Sequence, residues 1–309
     1  MANSFNNRQN NIVIDKFVFL GSLFLVIGLS IPMLFLGDIG EEFIRSISDY
    51  LMTNFGFLNI LIGLFAIGIC IYICFSEYGD IVLGDKNDKP EYKTISWTTM
   101  MFCAGIGSSV MYWGVIEWIF YYVKPPFGME AGSWQVAEFA ASYGIFHWGP
   151  TGWALYVLPA LPIAYCYFVK KENAFKVSHA LKPILKEKAD SYLGKTIDII
   201  FIFASMGACA TSLGLCVPMV STGVSEIFNM KQSTNLSLVI LLLIVAIFTI
   251  SSYFGLKKGI QVLSNINVGI VVGILLFVFI TGPTVFIIKM GVTSIGVIGQ
   301  NFLKMSTWL

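Results

Sequence analysis

The run Leu236-Ser237-Leu238-Val239-Ile240-Leu241-Leu242-Leu243-Ile244-Val245-Ala246-Ile247-Phe248-Thr249-Ile250-Ser251-Ser252-Tyr253-Phe254 carries no charged residue. At ~1.5 Å of rise per residue, ~20 such residues cross the ~30 Å hydrocarbon core of a bilayer. A helix in a water-soluble domain is apolar on one stripe, whereas this one is apolar all round. Residues 17–36 read the same way. Over the whole chain 56% of residues are apolar and 12% charged, against ~25% charged in a typical soluble domain. The fold class is therefore all-α and polytopic.

Seven membrane helices are expected, over 15–36, 55–75, 96–123, 139–169, 196–220, 236–254 and 263–288. Between the fourth and fifth, 170–195 reads as an amphipathic surface helix. Residues 292–309 read as a short interfacial helix, after which the sequence stops with neither a tail nor a balancing second half, so the chain is expected to be truncated. Lys and Arg set the orientation, because cytoplasmic loops hold the excess. Arg8, Lys16, the lysines of 86–93 and 170–195, and Lys257 and Lys258 fall on one side. Arg45, Lys124, Lys231, Lys289 and Lys304 fall on the other. Residues 1–14 are then a cytoplasmic tail, with the N-terminus inside, and no signal peptide is read there. The net charge of +1 suggests no nucleic-acid partner. Six cysteines lie in apolar segments without zinc-like spacing to the two histidines, and are read as small buried residues rather than metal ligands.

The chemistry concentrates in Phe146-His147-Trp148-Gly149-Pro150-Thr151-Gly152-Trp153-Ala154-Leu155-Tyr156. Trp153 and Tyr156 share a helix face, while Trp148 lies ~140° away from Trp153 on an unbroken helix. The Gly149-Pro150 pair can bend or unwind the helix and bring Trp148 inward. Rings around a void attract a cation that cannot donate hydrogen bonds, at ~2 kcal/mol or more per ring when desolvated. The competing reading is an aromatic belt at the headgroups, and Tyr121 and Tyr122 fit either. Gly105 and Gly107 loosen an apolar helix, either exposing carbonyls to a cation or allowing close helix packing. Glu117 is a carboxylate within an apolar helix, which invites a functional reading; an interfacial position is the alternative. His147 is read as making a fixed helix–helix hydrogen bond. An enzyme built on Glu117 and His147 lacks a nucleophile or metal constellation.

These residues carry a resemblance. His147-Trp148-Gly149 with Trp153 and Tyr156 resembles the aromatic-box segment of the betaine/carnitine/choline transporter family. Further similar segments are Ala104-Gly105-Ile106-Gly107 with Trp113-Gly114-Val115-Ile116-Glu117, Pro125-Pro126-Phe127-Gly128, Ala210-Thr211-Ser212-Leu213-Gly214-Leu215, and Lys258-Gly259-Ile260-Gln261 with Leu263-Ser264-Asn265. Together they cover roughly 15–309.

The resemblance implies a secondary transporter of quaternary-ammonium compounds such as glycine betaine, carnitine or choline, multi-pass in the cytoplasmic membrane and assembled as a homotrimer. It implies a LeuT-type fold of two inverted five-helix repeats. On that plan 15–95 holds two preceding helices, 96–291 is the first repeat, and the second repeat is absent. Substrate would meet Trp148, Trp153, Tyr156 and Tyr121, with Glu117 and His147 as polar support. No cofactor is implied beyond a coupling sodium ion, which in sodium-coupled members meets carbonyls at the positions of Cys103 and Ile106. Gly105, Gly107 and Asn267 favour ion coupling. Ser108-Ser109 departs from the glycine-rich symporter pattern and the 113–117 segment is closer to the carnitine/γ-butyrobetaine exchanger branch, so symport and ion-independent exchange both stand open, as does a non-transporting osmosensor or fragment.

Overall fold

The computed structural model describes residues 14–308 apart from 86, 87, 106, 108, 173 and 174. The elements among them are helical throughout. In chain order the long helices are α1 (Lys16–Leu36), α2 (Asp38–Phe75), α3 (Thr94–Gly105), α4 (Ser109–Val123), α5 (Trp134–His147), α6 (Pro150–Ala164), α7 (Tyr192–Phe228), α8 (Thr234–Tyr253), α9 (Gln261–Thr281) and α10 (Thr284–Thr307). Large apolar side chains cover their outer surfaces; Phe24 is 76% exposed and Phe35 86%. In water that surface would be untenable, and in lipid it is the stable arrangement.

Among the described residues seven helices are long and apolar enough to cross a membrane. The number equals the expected one, but the membership differs. The third expected helix, 96–123, is split: α3 stops at Gly105 and α4 starts at Ser109, with Gly107 between them at φ +46°, a left-handed conformation that suits a residue without Cβ. The last expected helix, 263–288, ends at Thr281, where Gly282-Pro283 intervenes and α10 begins. Proline supplies no N–H to continue the ladder, so the interfacial segment expected over 292–309 belongs to a longer helix. α2 also starts well before residue 55, its first turn carrying Asp38 and Glu41, where carboxylates favour a helix N-terminus.

The chain forms two compact units. Of the described residues, the first comprises those of 14–56, 82–84 and 159–209. Asp15 caps α1 by accepting from the amides of Phe17 and Val18, and its other oxygen lies 3.0 Å from Lys195 Nζ. Gly21 allows α1 to approach α7, because a Cβ there would come within 2.6 Å of Ile199 Cδ1. The 170–195 segment is not one surface helix. It folds as two one-turn helices, Val177–Ala180 and Lys182–Leu185, followed by the 3-10 turn Lys186–Asp190. Buried Asp198 of α7 accepts from both the amide (3.0 Å) and the hydroxyl (2.8 Å) of Ser178. His179 Nδ1 lies 3.1 Å from Glu172 and its Nε2 3.3 Å from Asp190, while Lys182 joins Glu172 at 3.2 Å. Tertiary hydrogen bonds and Pro183 thus override the helical periodicity.

The second unit comprises the described residues of 57–81, 85–158 and 210–308. Within it α3 is tied to α9: Thr99 Oγ1 donates to Asn265 Oδ1 at 2.6 Å, and Asn265 Nδ2 donates to Ser96 Oγ at 3.4 Å. α5 packs between α4 and α10. Tyr143, Phe146 and Met305 form its buried core, extended by the stacked pair Tyr121–Tyr143 (centroids 4.4 Å) and the edge-on pair Phe146–Phe302 (5.6 Å). At one end Lys304 Nζ sits 4.2 Å from the Phe127 ring centroid, and Trp308 meets the same ring edge-on at 4.7 Å.

Candidate functional site

The site is built where two helices are interrupted. α5 ends at His147 and α6 begins at Pro150, so Trp148 and Gly149 lie between them. Proline opens α6 without a missing donor, since the first helical N–H has no intrahelical partner. The turn is tight: a Cβ at Gly149 would meet the Ile145 carbonyl at 2.7 Å, and one at Gly152 the His147 carbonyl at 2.6 Å. The i→i−4 ladder breaks there, the Gly149 N–H reaching Phe146 instead and Pro150 offering none, so the ~140° separation expected between Trp148 and Trp153 on a straight helix is not imposed. Both now line one cavity.

That cavity, of about 440 Å³, is bounded on one side by Trp148, Gly152, Trp153 and Tyr156. Tyr121, Glu117 and His147 complete the residues expected from the sequence, and Gly105 of α3 reaches it as well. Its size lies in the ~300–1,000 Å³ range of small-molecule sites. Trp113 and Phe120 also line it. Sequence reading singled out neither as a ligand contact, although both stand on the face of α4 that carries Glu117, at intervals of four and three residues. Cys103 and Gly107 are not among the lining residues; the Cys103 thiol instead donates to the Ser264 carbonyl at 3.8 Å. Ile106 lies outside the described residues. Among the described residues no three His, Cys, Asp or Glu side chains are grouped to hold a metal.

Polar groups join the parts. Tyr156 donates to the Gly105 carbonyl at 3.0 Å. Glu117, 9% exposed, accepts from His147 Nδ1 at 2.6 Å and from Trp148 Nε1 at 2.9 Å. The Tyr121 hydroxyl lies 3.2 Å from His147 Nδ1. A lone carboxylate within a membrane helix costs ~2.5–3.5 kcal/mol. Two hydrogen bonds to a charged acceptor, at ~1.5–3 kcal/mol each, offset that cost. Glu117 is thus a satisfied interior group, and His147 makes the helix–helix bond expected of it. The cavity wall is chiefly aromatic, and its one carboxylate already has two donors.

The family model for betaine/carnitine/choline family transporters matches residues 17–309. The chain is 39% identical over 244 residues to the uncharacterized transporter YeaV of Escherichia coli, covering 79% of this chain and 50% of that protein. It is 34% identical over 310 residues to the betaine/ectoine transporter LcoP of Corynebacterium glutamicum, covering 98% of this chain and 48% of the relative. With the glycine betaine transporter OpuD of Bacillus subtilis it shares 34% identity over 287 residues, covering 91% and 56% respectively. The chain therefore spans about half the length of these relatives. With the matched family model extending over nearly all of its length, and with seven membrane-length helices among the described residues, this multi-pass membrane protein belongs to the betaine/carnitine/choline transporter family.

Proposed function

We propose that this chain forms a substrate-binding portion of a secondary transporter that moves quaternary-ammonium compounds, such as glycine betaine, carnitine, choline or related methylamines, across the cytoplasmic membrane. The observation that carries this reading is the convergence of Trp148, Trp153, Tyr156 and Tyr121 on one cavity. A methylated ammonium has no N–H to donate, so ring faces suit it better than hydrogen-bond acceptors do. Glu117 and His147 give polar support behind the rings. The reading is transport, not catalysis, and the names of the relatives point the same way.

The wider plan of the reading is a LeuT-type inverted repeat. Residues 96–291 form its first five-helix half, α3 and α4 together make one crossing, and part of α10 lies along the interface. The N-terminus is cytoplasmic and the assembly is a homotrimer. Substrate movement comes from rocking of the repeats around the cavity. For symport, a sodium ion travelling with the substrate would meet backbone carbonyls at Cys103 and Ile106, next to the glycines that loosen the helix.

The test is uptake of labelled glycine betaine, carnitine and choline by the full-length protein in proteoliposomes, with and without a sodium gradient. Trp148→Leu combined with Trp153→Leu removes two rings, and the expected loss is about 100-fold or more in uptake efficiency. Undiminished uptake by that double variant would refute the aromatic site. Uptake that ignores the sodium gradient but requires counter-substrate inside would assign exchange instead of symport.

A further inference from the structure

A buried carboxylate in the wall of a cation-binding cavity is the natural candidate for the ligand's counter-charge. The geometry points elsewhere: we infer that Glu117 is a positioning residue that acts through Trp148, holding the indole so that its face, and not the carboxylate, receives the cation. This rests on the reading of the cavity as a quaternary-ammonium site.

Both Glu117 oxygens are already used, Oε1 by His147 Nδ1 at 2.6 Å and Oε2 by Trp148 Nε1 at 2.9 Å. Trp148 is the C-cap of α5: its N–H still reaches the Gly144 carbonyl at 3.2 Å, but its ψ of 6° leaves helical backbone, so the residues after it do not fix its side chain as a helix interior would. Its single polar atom is a donor that needs an acceptor in an apolar surrounding. Two torsions define an indole's placement, and anchoring Nε1 leaves the ring little freedom. His147 in turn holds the second carboxylate oxygen, so Glu117 cannot rotate away. The Tyr121 hydroxyl, 3.2 Å from His147, continues the chain to a second ring of the cavity. A connected set, Tyr121, His147, Glu117 and Trp148, thus joins two aromatic walls through one carboxylate.

Engaging Glu117 directly would gain a trimethylated cation no hydrogen bond, and it would leave the Trp148 and His147 donors without an acceptor. Turning the carboxylate toward the ligand would therefore add Coulombic attraction alone, at the cost of both donors. A ligand bearing N–H groups has the opposite balance, so the arrangement also selects for full methylation.

The test uses the full-length protein in proteoliposomes with labelled glycine betaine. In Glu117→Gln the amide oxygen accepts from Trp148, and the amide nitrogen donates to His147 in its Nε2–H tautomer. The expected KM is within about 3-fold of the parent, whereas Glu117→Ala raises KM about 10-fold or more with Vmax changed less than KM. In the Glu117→Ala background, Trp148→Phe adds little further loss, because the two residues act as one. A Glu117→Gln KM as poor as that of Glu117→Ala would overturn the proposal in favour of a counter-charge. An Ala variant that melts earlier but keeps its KM would overturn it in favour of a purely structural staple. Should the Ala variant fail to fold, the comparison of Gln with the parent decides alone. Absence of glycine betaine, carnitine and choline uptake by the parent protein would strike the reading of the cavity itself, and is recognised by failing before any substitution is made.

Discussion

Tyr156 of α6 donates its hydroxyl to the carbonyl of Gly105, the last residue of α3, across 3.0 Å. A carbonyl in the last turn of a helix has no intrahelical donor, and this side chain supplies one. The contact joins the C-terminal end of α3 to the aromatic wall of the cavity. Tyr156→Phe keeps the ring and removes the bond, so half-saturation should rise about 2- to 10-fold, the equivalent of ~0.5–1.5 kcal/mol. The concentration dependence of uptake by the full-length protein measures it; an unaltered half-saturation would mean that the tie is idle.

Gly105 also sets the distance to Trp153. A Cβ at this position would stand 3.0 Å from Trp153 Cη2 and 3.1 Å from Cζ3, closer than ordinary van der Waals contact, so the indole would have to give by a few tenths of an ångström. Gly105→Ala should reduce uptake by displacing the indole, and Gly105→Val should reduce it further, since overpacking typically costs ~1–3 kcal/mol. A smaller ring in Trp153→Phe should relieve the clash, so the double variant should lose less than the product of the two single losses. Uptake assays on the four proteins decide the matter, and multiplicative losses would show that the two positions do not press on each other.

Asp198 supports the folded connection between α6 and α7. Asp198→Ala strands two donors of buried Ser178, each at ~1–3 kcal/mol. Asp198→Asn retains one oxygen and should fall between it and the parent. Thermal unfolding of the detergent-solubilised protein should rank parent above Asn above Ala; equal midpoints would contradict the accounting.

At the start of α1, the Lys195 ammonium and the amides of Val18 and Phe17 hold the Asp15 carboxyl below its usual range. A carboxyl depressed in the folded state contributes stability above its unfolded value, ~3.9 for aspartate, and loses it as pH falls through the lower folded value. The difference in melting midpoint between the parent and Asp15→Asn should therefore be steady from about pH 7 to pH 5 and close below about pH 4. Asp15 is solvent-accessible, so the gap will be small, and a gap that persists at pH 3 would assign it to capping geometry alone.

The apolar runs made the membrane-spanning character legible, because ~20 uncharged residues admit few other fates. Gly149-Pro150 announced the inward turn of Trp148, since both residues break helical backbone by known means. The split after Gly105 was half legible: the glycines signalled looseness, yet nothing local marks that Gly107 adopts a positive φ. Gly282-Pro283 carried a comparable signal, masked by the apolar residues on either side. The Glu117–Trp148 bond spans 31 positions, and no periodicity reports which donor a buried carboxylate will find. The folding of 170–195 likewise depended on Asp198, which lies outside that segment and has no sequence mark pairing it with Ser178.

The interruption after Gly105 has one more result. α3 is clamped to α9 through Thr99 and Asn265, and α4 is clamped to α5 and Trp148 through Glu117. A continuous rod gripped at both ends would transmit any displacement of one grip to the other. Here the rod is broken: Gly107, at φ +46°, turns the chain between the two grips, so the axis that α9 fixes for α3 is not imposed on α4.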